Sequence, residues 1–165
     1  MKFRAAIAAV AAAVAMTPAV ASAQDTYAEV GGWSIFKNPD NCRAIGSFDG
    51  DTHLAVGFYP ADDKVIMVVI DPDFTMTSNQ ELKYNMYFAQ GDNLNDDWGE
   101  ITAYGLQMDG GKHAFRVSLD GNDFLNDFGD NELLGFFVGS DLLISLRLEN
   151  SAEIESKLRQ CAATI

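Results

Sequence analysis

The side chains able to do chemistry in this chain are few in kind: two histidines, two cysteines and 24 carboxylates. Cys42 and Cys161 stand far apart. That is not the C-x-x-C spacing of a redox pair, and with only His53 and His113, both distant, it is not a zinc set. An even count of two fits one structural disulfide, which would consume both thiols as nucleophiles. His113 alternates with Phe115, Val117 and Leu119 on one side of an apolar run and reads as a sheet-packing residue. His53 sits on the less apolar side of its run, near Asp51 across a turn, and is the histidine available to a hydrolase. No G-x-S-x-G elbow accompanies it. Carboxylate pairs for acid–base catalysis arise by chance in so acidic a chain and specify nothing.

Oxygen ligands concentrate in the segment 91–100, where Asp92, Asn95, Asp96, Asp97 and Glu100 make a candidate Ca²⁺ loop. It does not follow the EF-hand pattern. Counting from Asp92 puts Leu94 in the third position, and counting from Asn93 puts Trp98 where glycine is needed. The same segment offers a second reading. Trp98, flanked by Asp97 and Glu100, suits a cationic peptide or a basic protein, with Asp92 and Asp96 adding charge; it would equally suit a ring folded down onto the core. Trp33, Tyr84, Tyr87 and Tyr104 are open to the same pair of readings, groove or packing. Asp120 to Glu132 holds five carboxylates, but Asp123, Asp127 and Asp130 recur at helical spacing and read as a solvated face.

Several elements must position these residues. Residues 1–23 run from a basic start (Lys2, Arg4) through an alanine-rich apolar stretch to Ala21-Ser22-Ala23, the pattern of a cleavable signal peptide with cleavage after Ala23. The stretch is too short for a membrane span, and no transmembrane segment is expected after cleavage. Residues 24–165 then form one domain. Without Lys2 and Arg4 the 11 basic residues fall to nine against 24 acidic ones, a net charge of −15. Such a chain repels phosphate backbones, so nucleic acid is disfavoured as a partner. Expected strands are Val30 to Lys37, Cys42 to Phe48, Thr52 to Tyr59, Val65 to Ile70, one around Tyr84 to Phe88, Trp98 to Gln107, Lys112 to Leu119, Leu133 to Val138 and Leu142 to Leu148. Val65 to Ile70 is unbroken in its apolar character and predicts a central strand covered on both faces. Gly91 to Asp97 is expected to be a loop. Asn122 to Asp130 predicts a short acidic helix burying Phe124, Leu125 and Phe128. A last helix follows Asn150, with Glu153 completing a capping box and Ile154, Leu158 and Cys161 on its buried stripe.

Trp33 before Cys42, alternating strands, a short helix ending at Phe128, a hairpin and the stretch SLRLENSAEIESKLRQC (145–161) together resemble small exported domains of Gram-negative bacteria. Among them the layout is similar to that of the invasion-associated locus B family. The resemblance implies export and a β-rich fold and assigns no catalytic residue. The expected fold class is α+β: an antiparallel sheet or sandwich of about eight short strands, a short acidic helix and a C-terminal helix, with Cys42 bridged to Cys161. The expected function is a non-enzymatic periplasmic or secreted binding protein that needs no cofactor, its contact surface at Trp98 and the acidic loops. The alternatives are a Ca²⁺-stabilised envelope protein and, third, a hydrolase using carboxylates or His53. Oligomeric state has no signature in the sequence.

Overall fold

The computed structural model describes residues 25–91 and 93–165; the expected leader, residues 1–23, and Asp92 lie outside the described residues. Glycines with positive φ punctuate the chain. Gly31 and Gly32 (φ 49° and 88°) split the expected opening strand into a hairpin of β1 (Thr26–Val30) and β2 (Trp33–Lys37). After β3 (Cys42–Ser47), the Asp49–Asp51 turn leads into β4 (His53–Tyr59) and β5 (Lys64–Asp71). β6 (Glu81–Gln90) and β7 (Asn93–Gln107) form the longest hairpin, and β8 (His113–Asp120) runs into α1 (Gly121–Asp130). A Gly139-Ser140 turn joins β9 (Leu133–Val138) to β10 (Asp141–Arg147), and α2 (Ser151–Ala162) closes the described chain.

The architecture is sheet-rich α+β, in one antiparallel sheet of ten strands ordered β1-β2-β3-β4-β5-β8-β7-β6-β9-β10. Of the sheet or sandwich expected, a single sheet forms, and the nine strand segments expected become ten strands among the described residues. The β1–β2 split adds one strand, and β7 extends through most of the expected loop 91–97. The sheet curls around its inner face. The last strand, β10, comes back beside the β3–β4 turn, where residues 144–147 share a cleft with Phe48, Asp49, Thr52 and Asp71. Bulges in β1, β7 and β10 supply local bending.

Both helices pack on the inner face. Phe88, Trp98, Phe124, Phe128, Trp33 and Phe48 form one chain of ring contacts under α1. Tyr84, Phe115, Phe136 and Phe74 form another between β6, β8 and β9. The connection 72–80 folds inward with Phe74 and Met76 buried. It approaches so closely that a Cβ on Gly105 would lie 2.2 Å from the Thr77 carbonyl oxygen. Ile154, Leu158 and Cys161 bury their expected stripe, and Cys161 is bonded to Cys42 on the inner face of β3.

Two local expectations are corrected. Asn150 does not cap α2 with its side chain. It sits in the left-handed region (φ 61°), and its carbonyl accepts from the Glu153 and Ile154 amides. The left-handed backbone turns the chain from β10 into the helix and leaves the capping box unformed. The Val65–Ile70 run is central as expected but covered on one face only. Val65, Met67 and Val69 are buried in the core; Ile66, Val68 and Ile70 lie half-buried on the outer face, outside that core.

Candidate functional site: an acidic pocket between β7 and α1

Register shifts in the β6–β7 hairpin decide where the acidic segment points. Ala89 pairs with Leu94 but Phe88 with Asp96; Tyr87 pairs with Asp97 but Met86 with Gly99. Asn95 and Trp98 are therefore the extra residues of two bulges, and both reach across to α1 and its C-terminal cap. Gly99 takes the positive φ the second bulge requires (62°), and its amide donates to Asp97 Oδ1 at 2.8 Å.

Trp98 is half-buried. Its ring meets Phe124 edge-on at 6.1 Å, and its indole Nε1–H donates to Asp127 Oδ2 at 2.7 Å. The ring packs on the core and leaves one edge at the pocket. Asn131, just beyond α1 and 1% exposed, ties the two elements together. Its Nδ2 donates to Asp96 Oδ2 (3.0 Å) and to the Asp127 carbonyl (2.8 Å), while its Oδ1 accepts from Asn95 Nδ2 (2.9 Å). The Ser151 hydroxyl donates to the Asn131 carbonyl at 2.8 Å and connects this hub to the start of α2.

The result is an open pocket of about 420 Å³ lined by residues 95–98 of β7 and by Asp123, Asn126 and Asp127 of α1. Burial raises the Asp127 carboxyl above the ordinary aspartate value, the Trp98 hydrogen bond pulls it back, and the charges of Asp96, Asp123 and Asp130 raise it further. Among the described residues no lysine, arginine or histidine lines the pocket. Arg159, bonded to the lining residue Asn126, is also engaged by Glu155 and Asn122.

Three of the expected site residues, Asp96, Asp97 and Trp98, are thus brought together. Glu100 is not: it pairs with Asn85 on the opposite, outer face of the sheet. Asp92 lies outside the described residues. The expected Ca²⁺ loop is therefore mostly strand, whose alternation separates its oxygens, and Asn95, Asp96 and Asp97 are already committed to hydrogen bonds. Among the described residues no group of three or more histidine, cysteine, aspartate or glutamate side chains is placed to hold a metal ion.

Asp127 and Asn131 escaped the sequence reading. Helical spacing assigned Asp127 to solvent, and Asn131 follows the helix with no periodic signal. The aromatic groove does not form. Trp33 and Tyr84 are buried inside, whereas Tyr87, stacked on Phe137, and Tyr104, 40% exposed, lie on the outer face. His53 Nδ1 shares a 3.0 Å hydrogen bond with the Ser47 hydroxyl rather than pairing with Asp51, and His113 Nδ1 donates to the Met76 carbonyl at 2.7 Å. Among the described residues no helix is long and apolar enough to cross a membrane. No protein-family model, curated protein or solved structure matches the chain.

Proposed function

We propose that the protein is an exported, non-enzymatic binding module whose β7–α1 pocket receives cationic side chains of a basic protein or peptide. The observation that carries this reading is the half-buried Asp127, crowded by Asp96, Asp123 and Asp130 in a pocket lined by no cation. A lysine or arginine entering there meets an attraction of about 1 to 4 kcal/mol per close carboxylate before desolvation, of which exposed pairs retain about 0.2–1 kcal/mol. It also relieves the repulsion among the carboxylates already present. The Trp98 ring edge gives the stem of such a side chain an apolar wall. The buried disulfide and the resemblance to exported domains support a periplasmic or secreted setting. Ca²⁺ would draw on the same carboxylates and is separated from this reading by a thermal titration.

The direct test uses a lysine-rich peptide titrated into the oxidised protein at two salt concentrations, read by tryptophan fluorescence. Trp33 is only 4% exposed, so a Trp33→Phe background assigns the signal to Trp98. Binding is expected to weaken with salt and to fall at least tenfold in an Asp123→Asn/Asp127→Asn variant. Affinity unchanged in that variant would remove the pocket as the contact surface.

A further inference from the structure

The outer face of the sheet combines two features that the acidic pocket does not use. The first is apolar. Register pairing places Ile45, Ala55 and Val68 side by side across β3, β4 and β5, with Ile66 and Ile70 two residues to either side of Val68. These side chains are half-buried, belong neither to the core nor to the partly buried residues packed against it, and among the described residues no helix covers them. An antiparallel sheet with one face in water normally alternates apolar and polar residues. β5 does not; it carries the composition of a strand covered twice.

The second feature is charge. Arg43, beside Gly57 in the row through Ile66, and Arg116, beside Val68, flank this strip. In a chain with 24 carboxylates, neither guanidinium has a hydrogen-bond or ion-pair partner among the described residues. The three outer rows that pass through Ile66, Val68 and Ile70 hold no aspartate or glutamate on β2, β3, β4, β5 or β8; the Val68 row reaches carboxylates only further out, at Glu29 on β1 and Glu81 on β6.

We infer that this face is a docking surface for an amphipathic helix of a partner protein, with its apolar stripe on β4–β5 and carboxylates along both flanks. The spacing fits. Arg43 and Arg116 are three strand intervals apart, about 14 Å at the usual inter-strand distance, and a helix with its side chains is about 10–12 Å across. On β4, Ala55 is small, and the Tyr59 ring lies over Gly57, 3.5 Å from where a Cβ would stand, so it extends the apolar strip beside Ile66. An open sheet face with no cavity suits a protein element; small-molecule sites are concave. The module then has two faces of opposite preference, an acidic pocket for cations and a cationic apolar face for an acidic helix.

The test is fluorescence anisotropy with two synthetic helical peptides that share a leucine stripe, one flanked by glutamates and the other by lysines. The acidic peptide is expected to bind at least tenfold more tightly than the basic one to a Trp98→Ala/Asp127→Asn background, which silences the acidic pocket. Arg43→Glu/Arg116→Glu is expected to reverse that order. Arg43→Gln/Arg116→Gln, a milder change, is expected to abolish it, and circular dichroism checks the fold of each variant. Equal binding of both peptides, or of neither, overturns the proposal. So does a dimer in sedimentation that Val68→Asp dissociates, which would assign the face to a second copy. Flotation with anionic vesicles, lost in the same variant, overturns it in favour of a membrane.

Discussion

Replacing Cys42 and Cys161 by alanine tests how α2 is held to the sheet. The bridge joins β3 to the last turn of α2 across a sequence separation of 119. In the chain-entropy description, a cross-link closing a loop of that size restricts the unfolded chain by about 4.9 kcal/mol at 25 °C, with 2–4 kcal/mol more usual. A domain of this length is stable by about 5–15 kcal/mol, so the bridge supplies a large share. Both cysteines are fully buried, and alanine leaves the volume of their sulfurs unfilled, which adds to the loss. Ile154 and Leu158 still hold α2 to the core, so the helix is expected to remain docked in the native state. With an unfolding entropy near 2.1 cal/mol/K per residue, the midpoint should fall by roughly 7–16 °C. Thermal and urea unfolding, followed by circular dichroism, measure this. The urea slope should rise, because the unlinked unfolded chain exposes more surface. A fall of less than about 3 °C with an unchanged slope would refute the reasoning. So would hydrogen exchange showing α2 alone released while the sheet keeps its protection, since that makes the bridge a local clamp.

Asn131→Ala removes the hub between β7, α1 and the start of α2, and is expected to cost about 2–4 kcal/mol, read from the urea midpoint at constant slope. Asp127→Asn keeps an oxygen for the Trp98 indole and removes a charge that the fold disfavours. Because the folded pKa is raised, the stabilising effect of the proton is fully present below the ordinary value of 3.8 and lost as pH rises through the folded pKa. The variant should therefore exceed the parent in midpoint at pH 7 and converge with it in acid, as melting curves across pH will show. Gly105→Ala forces a Cβ against the Thr77 carbonyl and is expected to cost about 2–4 kcal/mol, with faster amide exchange around Phe74 and Met76. Millimolar Ca²⁺ is expected to move the midpoint by less than about 1 °C relative to chelator. A rise of several degrees that Asp96→Asn/Asp127→Asn abolishes would instead make the pocket a metal site.

Much of the fold was legible because its signals are local. Period-two alternation marked His113 to Leu119, and helical spacing marked Phe124, Leu125 and Phe128. The buried stripe ending at Cys161 placed the second cysteine where a bridge to the sheet could form. Glycines marked the turns, although at Gly31-Gly32 the positive φ of both residues made a hairpin where a continuous strand was expected. The acidic segment misread as a loop is a strand because the β6–β7 ladder continues past two bulges, and polar side chains are tolerated at that exposed end.

The candidate site depended on the tertiary structure. The sequence alone determined that Trp98 stands among carboxylates, that the chain is strongly acidic, and that two cysteines are positioned to bridge. Only the curled sheet decided that Trp98 bonds Asp127 from a helix 29 residues away, that Asn131 is buried to join them, and that Glu100 faces the other way. The physical reason is that a bulge shifts by one residue which side chains cross a sheet, and no local pattern records that shift. The same holds for β5. Its sequence carried the composition of a strand covered on both faces, and the packing of both helices on one side decided which face was left open.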